Sequence, residues 1–64
     1  MTKKSARHLA KAIIHLGLAE WNEADTQAIR KLVTARRNLN SFFNKSGYEF
    51  GSGDGSRIRK RREA

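Results

Sequence analysis

The sequence predicts a small, mainly α-helical domain of two helices, or three if the second is broken, followed by a glycine-rich turn and a basic arm. Apolar residues recur every three or four positions over residues 5–20 and again over residues 23–45, the spacing of a buried helical face. The chain has 64 residues and no cysteine, so neither a large core nor disulfides can stabilise it. We therefore expect the helices to pair with those of a second copy in a homodimer.

The first predicted helix covers residues 5–20, with Ser5 as its N-cap. Its core-facing positions are spaced by three or four residues: Ala6, Leu9, Ile13 and Leu16. A basic stripe lies within about 40° on another face: Lys4, His8, Lys11 and His15. Ile14 and Leu18 lie at the edge of this stripe, which makes the apolar arc wide. So wide an arc suits a helix covered by more than one neighbour, such as a second copy or a third element.

The second predicted helix covers residues 23–45 and is capped by Asn22 or Asp25. Its apolar positions alternate between spacings of four and three: Ala24, Ala28, Leu32, Ala35, Leu39 and Phe42. Arg36 falls inside this apolar arc, and a side chain as long as arginine can reach solvent from there. Together these helices form a predicted helical domain, residues 1–47, and residues 48–64 form the turn and the arm.

An alternative breaks the second helix near Thr34, which would then cap a third helix. Residues 32–43, LVTARRNLNSFF, read as an apolar pair, a capping threonine, basic residues and spaced apolar positions. This segment resembles the middle of helix-turn-helix units, whose second helix enters the DNA major groove. It lacks their turn glycine and is one residue short in the turn, so we favour the continuous helix.

The aromatic residues have two predicted roles. Trp21, Phe42 and Phe43 are expected in the core, because so small a core needs every large side chain. For Tyr48 and Phe50, both a core position and stacking on unpaired bases stay open.

The C-terminal part begins after a predicted helix stop at Ser46 and Gly47. The triplets YEF and RIR alternate as short strands do, and the intervening SGDG suits a hairpin turn. The interpretation we favour is instead a flexible linker leading to a disordered basic arm. The glycines are not expected to bind a nucleotide, because the chain has no room for a parallel sheet and no Gly-Lys-Ser/Thr triplet.

The net charge of +8 is the strongest compositional signal, since so positive a field attracts polyanions and above all nucleic acid. Candidate nucleic-acid-binding residues lie on the outer side of the second helix and in the arm: Arg30, Lys31, Arg37, Asn38, Ser41, Lys45, Arg57, Arg59, Lys60, Arg61 and Arg62. The stripe of Lys4, His8, Lys11 and His15 is a secondary candidate. Lysine and arginine neutralise phosphates, and asparagine and serine bond phosphates or base edges. For each set the alternative is an ordinary solvated surface.

No catalytic, metal or cofactor site is expected. His8 and His15 are about two helical turns apart, too far to bind one metal ion together. No nucleophile, base and orienting group are brought together by the pattern, so we expect a protein that is not an enzyme.

These observations predict a cytoplasmic nucleic-acid-binding protein, associated with the nucleoid if it binds DNA. Duplex DNA is favoured over RNA, in a regulatory role such as a repressor or a phage- or plasmid-type accessory factor. Two alternatives stay open: a module that docks on an acidic partner of the transcription or translation machinery, and an RNA-binding helical dimer. No membrane partner is expected, because no apolar run approaches the roughly 20 residues of a spanning helix.

Overall fold

The computed structural model describes residues 1–51 and 57–60 and contains two α-helices followed by two antiparallel strands. Helix α1 covers Lys3–Asn22 and helix α2 covers Thr26–Lys45. Strand β1 covers Tyr48–Phe50 and strand β2 covers Ile58–Lys60. The predicted mainly helical fold is confirmed, and the strands add a short hairpin to it.

Helix α1 begins earlier than predicted, because Thr2 and not Ser5 is its N-cap. The Thr2 Oγ1 atom accepts a hydrogen bond from the Ser5 backbone N–H at 3.1 Å. At the other end, the Glu23 carboxylate accepts hydrogen bonds from the backbone N–H groups of Ala24 and Asp25 at 3.0 and 3.1 Å. These contacts order the connection between the helices.

Helix α2 is continuous, so the alternative break near Thr34 and the helix-turn-helix interpretation are wrong. The Thr34 hydroxyl donates a hydrogen bond to the Arg30 carbonyl oxygen at 3.0 Å, as threonine does inside a helix. The N-cap is Asp25, whose Oδ1 atom accepts from the Gln27 N–H at 3.0 Å. The helix ends at the predicted stop, where Gly47 has φ of 85°, the left-handed conformation that favours glycine.

The core lies where the first half of α1, the second half of α2 and the hairpin meet. Five apolar side chains are buried there: Ala6, Ala10, Ile13, Phe43 and Ile58. Leu9, Leu39 and Tyr48 are partly buried against them. Because the start of α1 packs near the end of α2, the two helices run antiparallel.

The buried face of α2 is rotated away from the predicted apolar stripe. Phe43, about 100° around the helix from Phe42, takes the central buried position and is 1% exposed. Its ring centroid lies 4.8 Å from that of Phe50, so the hairpin covers this side of the helix. Phe42 is 57% exposed and Trp21 is 87% exposed, so the core positions predicted for these two residues are wrong.

The favoured interpretation of the C-terminal segment, a disordered basic arm, is wrong for residues 57–60. Strand β2 pairs with β1 so that Phe50 lies opposite Ile58. The Gly51 N–H donates to the Arg57 carbonyl oxygen at 3.0 Å and extends the pairing by one step. These residues therefore belong to a hairpin and are not a flexible linker.

Ile58 is the physical reason that this strand forms. A two-stranded ribbon alone is marginal in water, but Ile58 is 7% exposed and belongs to the same core as Phe43. Burial of this one side chain attaches the hairpin to both helices. The predicted turn, residues 52–55, and the predicted contacts Arg61 and Arg62 lie outside the described residues.

Candidate nucleic-acid interface

The outer face of α2 carries exposed basic and polar side chains, and the helix contains no aspartate or glutamate. We call this surface the α2 basic face, and it consists of the six helical residues predicted from the sequence: Arg30, Lys31, Arg37, Asn38, Ser41 and Lys45. From the first to the last of these, the helix rises about 22 Å. The structure therefore brings this part of the predicted site together on one continuous surface.

A shallow depression runs along the same face and is lined by Arg30, Lys31, Thr34, Ala35 and Asn38. Thr34 and Ala35 were not predicted as part of the site. Their short side chains leave room between the long basic ones. The spacing of Arg30, Thr34 and Asn38, four residues each, is the sequence signal that places them on one face.

Phe42 is a further residue that the sequence analysis missed, because it was assigned to the core. On the helix surface it neighbours Asn38, four residues before it, and Lys45, three residues after it. An exposed aromatic ring beside amide and ammonium groups can contact a thymine methyl group or stack on a base. It therefore extends the chemistry of the α2 basic face.

Arg36 lies on the other side of α2 and is bound within the protein. Its Nε atom donates to the Glu20 Oε2 atom at 2.5 Å, and its Nη2 atom donates to Oε1 at 3.3 Å. This hydrogen bond and the negative charge of Glu20 raise the pKa of Arg36 above its ordinary value. The pair explains how an arginine occupies the packed side of the helix.

The hairpin holds Arg59 and Lys60 of the predicted arm on strand β2, with Arg57 directly before it. Arg59 lies opposite Glu49, and its Nε atom donates to Glu49 Oε1 at 2.8 Å. Both side chains are exposed, so this ion pair contributes little to stability. Arg57 and Lys60 are also exposed. Arg59 thus has a carboxylate beside it, which lowers its value as a phosphate contact.

The basic stripe of α1 lies on a different side of the molecule. Its four side chains are exposed: Lys4, His8, Lys11 and His15. They are opposite the face that carries Ala6 and Ile13, which packs against α2 and the hairpin. The α2 basic face likewise points away from α1. The structure therefore does not bring the two basic surfaces together, and they form separate sites.

Within residues 1–51 and 57–60, no three histidine or acidic side chains lie close enough to hold a metal ion. Neither α1 nor α2 is long and apolar enough to cross a membrane. No protein-family model, curated protein or solved structure matches this chain. The functional conclusion therefore depends on the surface itself.

Proposed function

We propose that this protein binds duplex nucleic acid, preferably DNA, through the α2 basic face. The observation that carries the proposal is the length of the face, about 22 Å of helix with exposed arginine, lysine, asparagine and serine side chains and no acidic residue. The major groove of B-DNA is about 12 Å wide and admits an α-helix. The basic residues attract the phosphates, and the polar ones can bond to base edges.

The order of side chains around α2 supports binding in a groove. At about 100° per residue, Thr34 and Ser41 lie along the middle of the face. Arg30 and Arg37 lie on one side of that middle line, and Lys31 lies on the other. A helix inserted in the groove would point its middle at the base edges and its flanking cations at the two phosphate backbones.

The salt dependence of the binding constant measures how much the phosphate contacts of the α2 basic face contribute to affinity. If the four cations Arg30, Lys31, Arg37 and Lys45 each neutralise a phosphate, the slope of log K against log salt includes about −3.6 from this face, at about −0.9 per contact. That slope weakens binding about 150-fold between 50 and 200 mM salt. Fluorescence anisotropy of a labelled duplex over this range gives the slope. No binding to duplex at low salt would refute the proposal.

A matched pair of variants separates the site from the net charge. The double substitution Arg30→Gln and Arg37→Gln removes two charges from the α2 basic face, and Lys3→Gln with Lys4→Gln removes two exposed charges from the start of α1. We expect the first pair to reduce the slope by about 1.8 and the second pair to leave it nearly unchanged. Equal losses would mean that overall charge, and not this face, attracts the duplex.

The nucleic-acid class is tested by comparing duplex DNA, duplex RNA and single-stranded DNA of one length. Side chains cannot read the deep, narrow major groove of A-form RNA, so DNA is expected to bind most tightly. Tighter binding to RNA would favour the RNA-binding alternative. Saturable binding to an acidic protein, with little affinity for random DNA, would favour the docking alternative. The regulatory role stays a prediction.

A truncated chain can test whether the basic arm contributes to nucleic-acid binding, provided that the truncation leaves the core intact. A chain ending before Ile58 would lose a core residue, so reduced binding could result from unfolding. A chain ending at Lys60 removes Arg61 and Arg62 and leaves both strands in place. If those two residues contact phosphates, the slope falls by about 1.8; an unchanged slope would exclude them from the site.

A further inference from the structure

The second half of α1 has an exposed apolar surface that does not belong to the core. The buried residues of α1 are Ala6, Ala10 and Ile13, the last of them at the middle of the helix. Further along, Leu18 is 55% exposed and Trp21 is 87% exposed. Ile14, which is half-buried, precedes them by four and seven positions, so the three side chains share one side of the helix. We call Ile14, Leu18 and Trp21 the α1 apolar patch.

Charges of opposite sign flank this patch along the helix. Arg7 and Lys11 are exposed on the same side of α1, about two turns and one turn before it, respectively. Glu23 and Asp25 are exposed just after it, in the connection to α2. The order along this side of the molecule is therefore basic, apolar and acidic.

We propose that a second copy of this chain binds the α1 apolar patch, with the two α1 helices antiparallel about a two-fold axis between residues 17 and 18. A two-fold interface brings the same surface of both copies together, so the surface must be complementary to itself. This arrangement sets Ile14 opposite Trp21 of the partner subunit. It also sets Lys11 beside Glu23 of the partner subunit, so that apolar groups meet apolar groups and cations meet carboxylates.

The charge distribution favours a second copy over nucleic acid as the occupant. Residues 12–29 contain three acidic residues and no lysine or arginine, although the whole chain carries a net charge of +8. Glu20 is paired with Arg36, but Glu23 and Asp25 still make this end of the molecule less attractive to a polyanion than the α2 basic face. A parallel pairing of the α1 helices would place like charges together at both ends, which disfavours it. The interface uses α1, whereas the α2 basic face lies on the other helix, so this proposal does not depend on the proposed function.

The single tryptophan of the chain makes the test direct. The full-length protein is diluted without nucleic acid, while Trp21 fluorescence and sedimentation equilibrium are recorded. We expect blue-shifted emission and twice the 7.3 kDa mass at high concentration, with red-shifted emission and the monomer mass on dilution. A mass of 7.3 kDa at every concentration up to the millimolar range would overturn the proposal.

Substitutions locate the interface. Trp21→Ala is expected to raise the dissociation constant of the dimer at least about 30-fold, the effect of an aromatic hot-spot residue. Because Trp21 is 87% exposed, its loss should leave the helical circular dichroism of the monomer unchanged. Phe42→Ala, at an exposed aromatic residue of α2, is the matched control and should leave the constant unchanged. A dimer insensitive to Trp21→Ala would overturn the proposed surface.

A charge exchange tests the antiparallel arrangement. Lys11→Glu and Glu23→Lys should each weaken the dimer, because each places like charges together across the interface; Glu23→Gln keeps an acceptor for the Ala24 and Asp25 N–H groups and is the control for the loss of those bonds. The double variant restores the opposite-charge pair and should recover most of the lost affinity. Circular dichroism confirms that each variant remains helical. If the double variant is as weak as the sum of the single ones, the antiparallel arrangement is wrong.

Discussion

Replacing Phe43 by alanine tests the packing that orients α2. Phe43 is 1% exposed and is the largest fully buried side chain among the described residues. Truncating a buried phenylalanine costs about 3–5 kcal/mol. A chain of 64 residues has a free energy of unfolding of roughly 3–10 kcal/mol. We therefore expect Phe43→Ala to lose at least about a third of this free energy of unfolding, and to lose its cooperative unfolding transition if the total is near the lower value.

The adjacent Phe42 provides the control. It is 57% exposed, so Phe42→Ala should lower the free energy of unfolding by less than about 1 kcal/mol. Urea denaturation followed by far-ultraviolet circular dichroism measures both variants. The protein concentration must be the same in all samples, because the measured stability would depend on it if two copies associate.

Equal costs at the two positions, or a larger cost at Phe42, would refute the reasoning. Neighbouring residues of a helix point about 100° apart, so such a result would mean that α2 packs with a different side against α1 and the hairpin. The α2 basic face is defined by the same rotation. Its position would then be wrong as well.

Two further predictions concern the ends and the interior of the helical pair. Gly47→Ala should lower the free energy of unfolding by about 1–2 kcal/mol, because Gly47 has φ of 85° while no side chain crowds it; an unchanged urea midpoint would contradict this. The Glu20→Leu and Arg36→Met substitutions should be less damaging together than the sum of their separate effects, because each alone leaves an unpaired charged group at a partly buried site. Strictly additive effects in this thermal-unfolding cycle would show that the ion pair contributes no coupling.

Local features of the fold were predictable from the sequence. The apolar spacing indicated both helices, and Asp25 and Gly47 lie at the predicted cap and stop. The exposed basic positions of α2 were also predictable, because they follow from helical periodicity and from the absence of acidic residues. Each of these features depends on residues within about one turn of one another.

The prediction of Ser5 as the N-cap of α1 is wrong because a second suitable capping residue lies close to it in the sequence. Serine and threonine both favour the N-cap position, and the sequence offers Thr2 and Ser5 three residues apart. Thr2 accepts the hydrogen bond from the Ser5 backbone and begins the helix one turn earlier. The spacing of the apolar residues is the same in both cases, so periodicity did not distinguish them.

The wrong core prediction for Phe42 is explained by the tertiary structure. Phe42 and Phe43 are both apolar and adjacent, and the apolar spacing favoured Phe42. The hairpin determines that Phe43 is the buried ring, because Phe50 and Ile58 form a third layer beside it. Without that layer, nothing in α2 alone determines which of the two rings is buried.

The sequence by itself determined the two helices, the stop after α2 and the basic character of its outer face, because hydrogen bonds and side-chain periodicity over a few residues control them. The tertiary structure alone decided the rotation of α2, the partner of Arg36 and the pairing of residues 58–60. Those depend on groups far apart in the chain: Glu20 and Arg36 are separated by 16 positions, and Ile58 stabilises its strand only by entering a core made by both helices.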